Sequence, residues 1–137
     1  MPKIYIDQGH NPQNPNAGAE GNGLREQDIV FEIGLRLAAL LNESGNYEAR
    51  LSRPTADTQL GTSTQTSLSA RVNAANAWPA DYFISIHANA HTTSTAHGIE
   101  AFSYSKESHA YLLGEKQSAA ELYRQVADTI TNTIATV

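Results

Sequence analysis

The 137-residue sequence contains no cysteine, and this absence removes disulfide bonds and every metal site that depends on thiolates. A transition metal could therefore be bound only by histidine and carboxylate side chains. The chain has 5 histidines and 14 aspartates and glutamates to supply such ligands. A metal site in this protein must combine these two kinds of residue.

Long apolar runs and an excess of basic residues are also missing. No segment approaches the roughly 20 consecutive apolar residues of a membrane-spanning helix. The net charge of −5 argues against nucleic acid as a main partner, because phosphate binding needs a basic face. Residues 1–3 lead directly into a strand pattern, without the apolar region of a secretory signal peptide. The composition fits one globular domain over residues 1–137, which we expect to be monomeric.

Strand and helix patterns alternate along the chain. They predict strands over residues 3–7, 47–52, 82–87 and 98–104, and helices over residues 24–44, 67–78 and 116–134. This order is typical of an α/β fold with a mostly parallel, twisted sheet and helices on both faces. No strand follows the last predicted helix, so we expect the final strand to be lacking and the natural domain to continue past Val137.

The predicted helix over residues 24–44 has a carboxylate at the start of its apolar stripe. Glu26 precedes Ile29, Val30 and Ile33 by three, four and seven residues, which places it on the inward face. An acidic residue in the first turn also interacts favourably with the helix dipole. A buried carboxylate without a partner is costly, however, so we expect a cation, a basic group or a metal opposite Glu26.

Two histidines follow predicted strands. Residues 82–87 predict a strand buried on both faces that ends at His87, and His10 follows the first strand. Because ligands of α/β proteins bind beyond the carboxyl ends of the strands, His10, His87 and Glu26 are expected at one sheet edge. Two imidazoles and one carboxylate are the ligands of a catalytic zinc site with an open fourth position. The alternative is that each histidine merely ends a strand.

Other candidate residues are less distinctive. Asp7 could support the site by orienting an imidazole, or it could face solvent. His87 and His91 are four residues apart, but they lack the glutamate of the helical HExxH motif. His97 and His109 lie in polar surroundings, which favours a surface position. Two polar loops, over residues 11–23 and 55–66, are candidates for the walls of an open groove.

Several segments together resemble the zinc-dependent N-acetylmuramoyl-L-alanine amidases of the bacterial cell wall. These segments are Ile4-Tyr5-Ile6-Asp7-Gln8-Gly9-His10, residues 21–28, Leu51-Ser52-Arg53, residues 71–76, Ser85-Ile86-His87-Ala88-Asn89-Ala90 and Gly98-Ile99-Glu100. The resemblance implies an α/β domain with zinc bound by His10, Glu26 and His87. It implies hydrolysis of the amide between N-acetylmuramic acid and L-alanine of peptidoglycan, in an extracellular or cell-wall location.

The resemblance also implies a general base. The family uses a glutamate on a late strand, after the last helix, and this sequence ends before such a strand. Glu100 matches the family's Gly-x-Glu position and is the candidate catalytic residue, with a supporting or structural role as the alternative. Asn89 is a candidate for a position beside the metal ligands or in the substrate groove.

Two other functions remain open at this point. The first is a catalytically inactive or truncated homologue that binds peptidoglycan and keeps the metal site. The second is a zinc peptidase of the carboxypeptidase kind, which fits less well because His10-Asn11-Pro12-Gln13 lacks a closely spaced His-x-x-Glu pair.

Overall fold

The computed structural model describes residues 1–90, 92–93, 95–96 and 98–102. The chain divides into two compact units, Met1–Ala90 and His91–Val137. All the helices and strands among the described residues belong to the first unit. They are β1 (Lys3–Gln8), β2 (Glu20–Gly21), β3 (Leu24–Arg25), α1 (Glu26–Glu43), β4 (Glu48–Leu51), α2 (Thr64–Ala77) and β5 (Tyr82–Ile86).

The main sheet of the first unit is parallel, in the strand order β4-β1-β5. Ile6 of β1 aligns with Leu51 of β4 on one side and with Ile84 of β5 on the other. β1 is almost fully buried because it is the central strand and both of its faces are covered. The parallel arrangement confirms the fold predicted from the alternation of strands and helices.

The two helices cover opposite faces of this sheet. Ile4 and Ile6 pack with Ala38 of α1, whereas Tyr5, one position along the strand, packs with Ala75 of α2 and with Trp78. This follows from the strand geometry, in which successive side chains point to opposite faces. The predicted placement of helices on both faces is therefore confirmed.

The third predicted strand is less buried than expected. β5 ends at Ile86, and its residues are half-buried or exposed. Among the described residues its only strand neighbour is β1, so the strand enclosed on both faces is β1 and not β5. The predicted strand is therefore confirmed at Tyr82–Ile86, but the prediction that it is buried on both faces is wrong.

Helix α1 begins two residues later than the sequence pattern predicts. Leu24 and Arg25 pair with Glu20 and Gly21 in a small antiparallel hairpin, so the chain enters the helix only at Glu26. The inward stripe also differs, because Ile33 and Leu40 are exposed. Val30, Phe31, Gly34 and Ala38 are buried instead.

Helix α2 begins at Thr64, three residues earlier than predicted. Ser63 caps it by accepting a hydrogen bond from the Thr66 N–H, and the Thr66 hydroxyl bonds back to the Ser63 N–H. The predicted inward residues Leu68 and Val72 are 51% and 49% exposed. The buried side of α2 carries Ser67, Arg71 and Ala75 because this side faces buried polar groups of the sheet edge.

The prediction of a fourth strand over residues 98–104 is wrong for its described part. Residues 98–102 form no strand, and Ile99 and Phe102 are exposed rather than packed on a sheet face. Gly98 also has a φ of 138°, far from the extended backbone of a strand. Residues 103–104 and the predicted helix over residues 116–134 lie outside the described part of the chain.

Neither α1 nor α2 is long and apolar enough to cross a membrane, and these are the helices of the described residues.

Candidate metal centre

Three potential metal ligands converge at the carboxyl edge of the sheet. His10 follows the end of β1 by two residues, and His87 directly follows the end of β5. These strands are parallel and paired, with Gln8 aligned with Ile86, so both histidines leave the sheet at the same edge. Glu26, the first residue of α1, completes the group.

The ligand atoms are close enough to share one ion. His10 Nε2 lies 3.1 Å from Glu26 Oε2, and His87 Nδ1 lies 3.2 Å from both Glu26 Oε1 and His10 Nε2. A tetrahedral metal with bonds of 2.0–2.1 Å places its ligand atoms about 3.3 Å apart. The two imidazole nitrogens and the carboxylate therefore fit a divalent metal in both chemistry and spacing.

One side of the metal-ligand group is buried in the protein, and the other side is accessible to solvent. The Glu26 side chain is 7% exposed, whereas that of His10 is 21% and that of His87 is 46% exposed. A metal held by these three side chains could therefore keep a position accessible to water and substrate, as catalytic metals require.

The surroundings of the Glu26 carboxylate favour its ionised form. Burial on its own would raise the pKa of Glu26, but backbone N–H donors at Ala88 and Ala19 and the adjacent imidazoles outweigh it. The Ala88 N–H donates to Oε1 at 2.8 Å and the Ala19 N–H to Oε2 at 3.2 Å. The net pKa of Glu26 is lower than its ordinary value, so the carboxylate is ionised and can bind a cation.

A family model described as N-acetylmuramoyl-L-alanine amidase matches residues 4–137. The chain belongs to the N-acetylmuramoyl-L-alanine amidase family. This agrees with the resemblance found in the sequence, and the match includes all three members of the metal-ligand group.

Several curated relatives of this amidase-family chain carry the same description. It is 48% identical over 92 residues to the N-acetylmuramoyl-L-alanine amidase CwlM of Bacillus licheniformis, an alignment that covers 66% of this chain and 32% of the relative. It is 42% identical over 105 residues to a sporulation-specific N-acetylmuramoyl-L-alanine amidase of Bacillus subtilis, covering 76% of this chain and 36% of the relative. The chain thus spans about a third of the length of these relatives.

Solved structures of amidases share its fold. The catalytic domain of CwlV, an N-acetylmuramoyl-L-alanine amidase of Bacillus (Paenibacillus) polymyxa var. colistinus, matches with a TM-score of 0.66 and 29% identity, over 81% of this chain and 58% of that domain. The amidase AmiC2 of Nostoc punctiforme matches with a TM-score of 0.61 and 34% identity, over 77% of this chain and 54% of that structure.

Gly9 and Gly18 lie so close to the metal-ligand group that neither position has room for a side chain. A Cβ atom on Gly9 would lie 2.5 Å from His87 Cε1 and 2.7 Å from His87 Nδ1. A Cβ atom on Gly18 would lie 2.9 Å from the Glu26 Cβ and 3.0 Å from His10 Cδ2. Side chains at these two positions would displace the ligands.

We expect Gly9→Ala to weaken the binding of a divalent metal about 10- to 100-fold, the usual effect of disturbing the immediate surroundings of a metal ligand. The added methyl group would push the His87 imidazole away and would also meet the Ile86 carbonyl at 2.7 Å. Gly21→Ala is the matched control, because a Cβ there has no neighbour within 4 Å. Isothermal titration of both variants with Zn²⁺ provides the test. Equal affinities would contradict this account of Gly9.

Asp7 lies beneath the metal-ligand group rather than against an imidazole. Its Oδ1 accepts a hydrogen bond from Arg71 Nη1 at 2.7 Å, and its Oδ2 accepts one from Ser85 Oγ at 2.8 Å. Both carboxylate oxygens are thus engaged, and among the described residues Arg71 links Asp7 to His10, because it also donates to the His10 carbonyl. Asp7 therefore does not orient an imidazole ring by a direct hydrogen bond.

The remaining candidate residues are more peripheral or lie outside the described part of the chain. Asn89 is exposed, two residues after His87, and its role in the substrate groove stays a prediction. Glu100 belongs to the second unit, so its role as general base also stays a prediction. His91, His97 and His109 lie outside the described residues.

Reasoning from the sequence missed the buried polar residues beneath the metal-ligand group. Arg53 and Arg71 are 1% and 2% exposed, and Gln8 and Asn11 are fully buried. Arg53 and Arg71 lie in segments that carried the family resemblance, but nothing there assigned them a role. One feature of the sequence could have indicated the burial of Arg71. Ser67, Arg71 and Ala75 are spaced four residues apart, so they share one face of a helix, with small residues on either side of the arginine.

Proposed function

We propose that this chain is the catalytic domain of a zinc-dependent N-acetylmuramoyl-L-alanine amidase. Its reaction is hydrolysis of the amide between the lactyl group of N-acetylmuramic acid and L-alanine in peptidoglycan. The observation that carries the proposal is the convergence of two imidazoles on one carboxylate: His10 Nε2 lies 3.1 Å from Glu26 Oε2, and His87 Nδ1 lies 3.2 Å from Glu26 Oε1 and from His10 Nε2. Family membership supplies the substrate class.

Zinc is the metal that these ligands favour. Imidazole nitrogens with a carboxylate oxygen, arranged as three protein ligands with an open side, are typical of catalytic zinc. When bound, zinc polarises the scissile carbonyl and lowers the pKa of a coordinated water towards 7. His10, Glu26 and His87 are the residues that would hold it.

The protein's own contribution is to fix these ligands and leave room for a large substrate. The N–H groups of Ala19 and Ala88 hold the two Glu26 oxygens in place, so the carboxylate cannot rotate away from the histidines. The half-exposed His87 leaves one side of the group accessible. An extended glycan with stem peptides suits such an open edge better than a closed pocket.

The segments over residues 11–23 and 55–66, which include β2 and the start of α2, are the proposed walls of the substrate groove. Asn11 joins them, because its Nδ2 donates to the Leu60 carbonyl at 2.9 Å and its Oδ1 accepts from the Leu60 N–H at 3.1 Å. Because these hydrogen bonds hold the two segments together, substrate can bind without first ordering them, and the entropic cost of binding is lower. Asn89, exposed near His87, is the proposed polar contact within it.

Glu100 is the proposed general base. Its carboxylate would take a proton from the attacking water and return it to the leaving amine of L-alanine. Glu100→Gln is the variant that tests this role, because it keeps the size of the side chain and removes the basic oxygen.

Because peptidoglycan is the proposed substrate, the proposed site of action is outside the cell or within the cell wall.

We expect the purified chain to release new L-alanine amino termini from a muramoyl-peptide when zinc is present, and to lose this activity in a chelator. The reaction is followed by labelling free amino groups, with zinc-restored and chelator-treated samples run in parallel. Cleavage only between amino acids of the stem peptide would contradict the proposal and identify a peptidase. Tight peptidoglycan binding without release would also contradict it and identify a binding homologue.

A further inference from the structure

The backbone of His10 adopts a conformation that residues with a side chain rarely occupy. Its φ is 66°, in the left-handed region that favours glycine. Such a conformation persists only where the surrounding structure enforces it, and such residues cluster at functional sites. A feature of the fold must therefore hold this peptide in place.

The groups that hold it are donors to the His10 carbonyl. Arg71 Nη2 donates to this oxygen at 2.7 Å, and Arg53 Nη1 approaches it at 3.4 Å. Both donors are charged, so the distance decides between them, and the shorter contact belongs to Arg71. Arg71 is thus the main restraint on the His10 carbonyl.

The Arg71 guanidinium is itself firmly fixed. Its Nη1 donates to Asp7 Oδ1 at 2.7 Å and to the Gln8 carbonyl at 2.6 Å, while its Nη2 also reaches Asn11 Oδ1 at 3.2 Å. The side chain is only 2% exposed, so water does not compete for these donors. This fixed fork connects helix α2 to the end of β1.

We propose that Arg71 is a positioning residue of the metal centre, which holds the left-handed backbone of His10 so that its imidazole faces Glu26 and His87. This inference rests on the proposed function only in treating His10 as a zinc ligand. The imidazole projects from the same residue whose carbonyl Arg71 binds. Release of that carbonyl lets the backbone of His10 relax and carries Nε2 away from the Glu26 oxygen, which lies 3.1 Å from it.

Lysine cannot replace Arg71 in this role. The guanidinium reaches the Gln8 and His10 carbonyls with two different nitrogens, in a planar fork. A lysine ammonium keeps the charge opposite Asp7, but it is a single point and cannot span both carbonyls in this geometry. Arg71→Lys therefore separates the role in positioning His10 from the role in pairing charge.

The first test compares Arg71→Lys with Ile4→Val, a core change at the opposite end of β1 that lowers stability without touching His10. We expect Arg71→Lys to bind Zn²⁺ about 10- to 100-fold more weakly than the wild type, and Ile4→Val to bind it normally. The visible spectrum of the cobalt-substituted protein should change only in Arg71→Lys. Equal affinities and spectra in the two variants would overturn the proposal.

A second variant covers the case in which Arg71→Lys does not fold. Asp7→Asn/Arg71→Gln removes both charges of the buried pair together, so no unpaired charge is left inside the protein. We expect the same loss of zinc affinity, because the His10 carbonyl still loses the closer of its two charged donors. Wild-type affinity in this folded variant would overturn the proposal.

A measurement without metal separates this proposal from the proposed function. In zinc-free protein, the backbone ¹³C chemical shifts of His10 should indicate a left-handed residue in the wild type and a shift towards extended backbone in the folded Arg71 variant. Unchanged shifts would overturn the positioning role even if zinc binds. A change in shifts in a protein that binds no zinc would refute the zinc site and leave the effect of Arg71 on His10 standing.

Discussion

Glu26→Ala is expected to abolish high-affinity zinc binding and, with it, amidase activity. Glu26 is the only charged ligand of the group and contacts both histidines. Zinc binds to protein sites of its preferred ligands with about 10–16 kcal/mol, so losing even a quarter of the lower value corresponds to about a 60-fold weaker affinity. Zinc content after dialysis against a defined zinc buffer measures the effect.

Two further variants isolate the ligand role of Glu26. Glu32→Ala changes the charge of α1 by the same amount at an exposed position and should leave zinc content unchanged. Glu26→Gln keeps an oxygen that can accept the hydrogen bond from the Ala88 N–H but carries no charge. Full zinc occupancy in folded Glu26→Ala would show that Glu26 is not a ligand.

Asp7→Asn is expected to lower the free energy of unfolding by about 3 kcal/mol or more, because it leaves a buried arginine without its counter-ion. Asp7 and Arg71 are paired at 2.7 Å, and their side chains are 6% and 2% exposed. A loss of this size is a large part of the ~5–15 kcal/mol that stabilises an ordinary domain. Urea denaturation of the metal-free protein gives the value directly.

The control for Asp7→Asn is Asp28→Asn. Asp28 also pairs with an arginine, but the Asp28 and Arg25 side chains are 58% and 41% exposed and their charged atoms are 3.4 Å apart. Exposed pairs of this kind contribute about 0–1 kcal/mol. Similar losses in the two variants would show that burial of the Asp7–Arg71 pair contributes little.

The sequence was informative wherever a repeating pattern or the end of a strand determined the structure. Apolar runs predicted the strands β1 and β5, a weaker pattern interrupted by charge predicted β4, and the parallel sheet brings His10 and His87 to one edge. The position of Glu26 relative to the apolar stripe predicted a buried carboxylate, and Glu26 is buried. The strands and the position of Glu26 depend on local patterns, and the parallel sheet follows from the order in which strands and helices alternate.

The predictions failed where contacts distant in sequence determine which side of an element is buried. Leu68 and Val72 predicted the inward face of α2, but Arg71 is drawn inward by Asp7 and by the Gln8 and His10 carbonyls, more than 60 residues away. The partners of Arg71 cannot be identified from local periodicity. Helix α1 begins later than predicted for a local reason, because Leu24 and Arg25 pair with Glu20 and Gly21 in a hairpin whose two-residue turn is not part of a helical pattern.

The central claim is that one zinc ion is bound by His10, Glu26 and His87, and anomalous diffraction at the zinc absorption edge tests it most directly. Crystals of the zinc-loaded chain should give one strong anomalous peak within about 2.0–2.2 Å of His10 Nε2, a Glu26 carboxylate oxygen and His87 Nδ1. A zinc peak bound elsewhere, with none between these three side chains, would contradict the account.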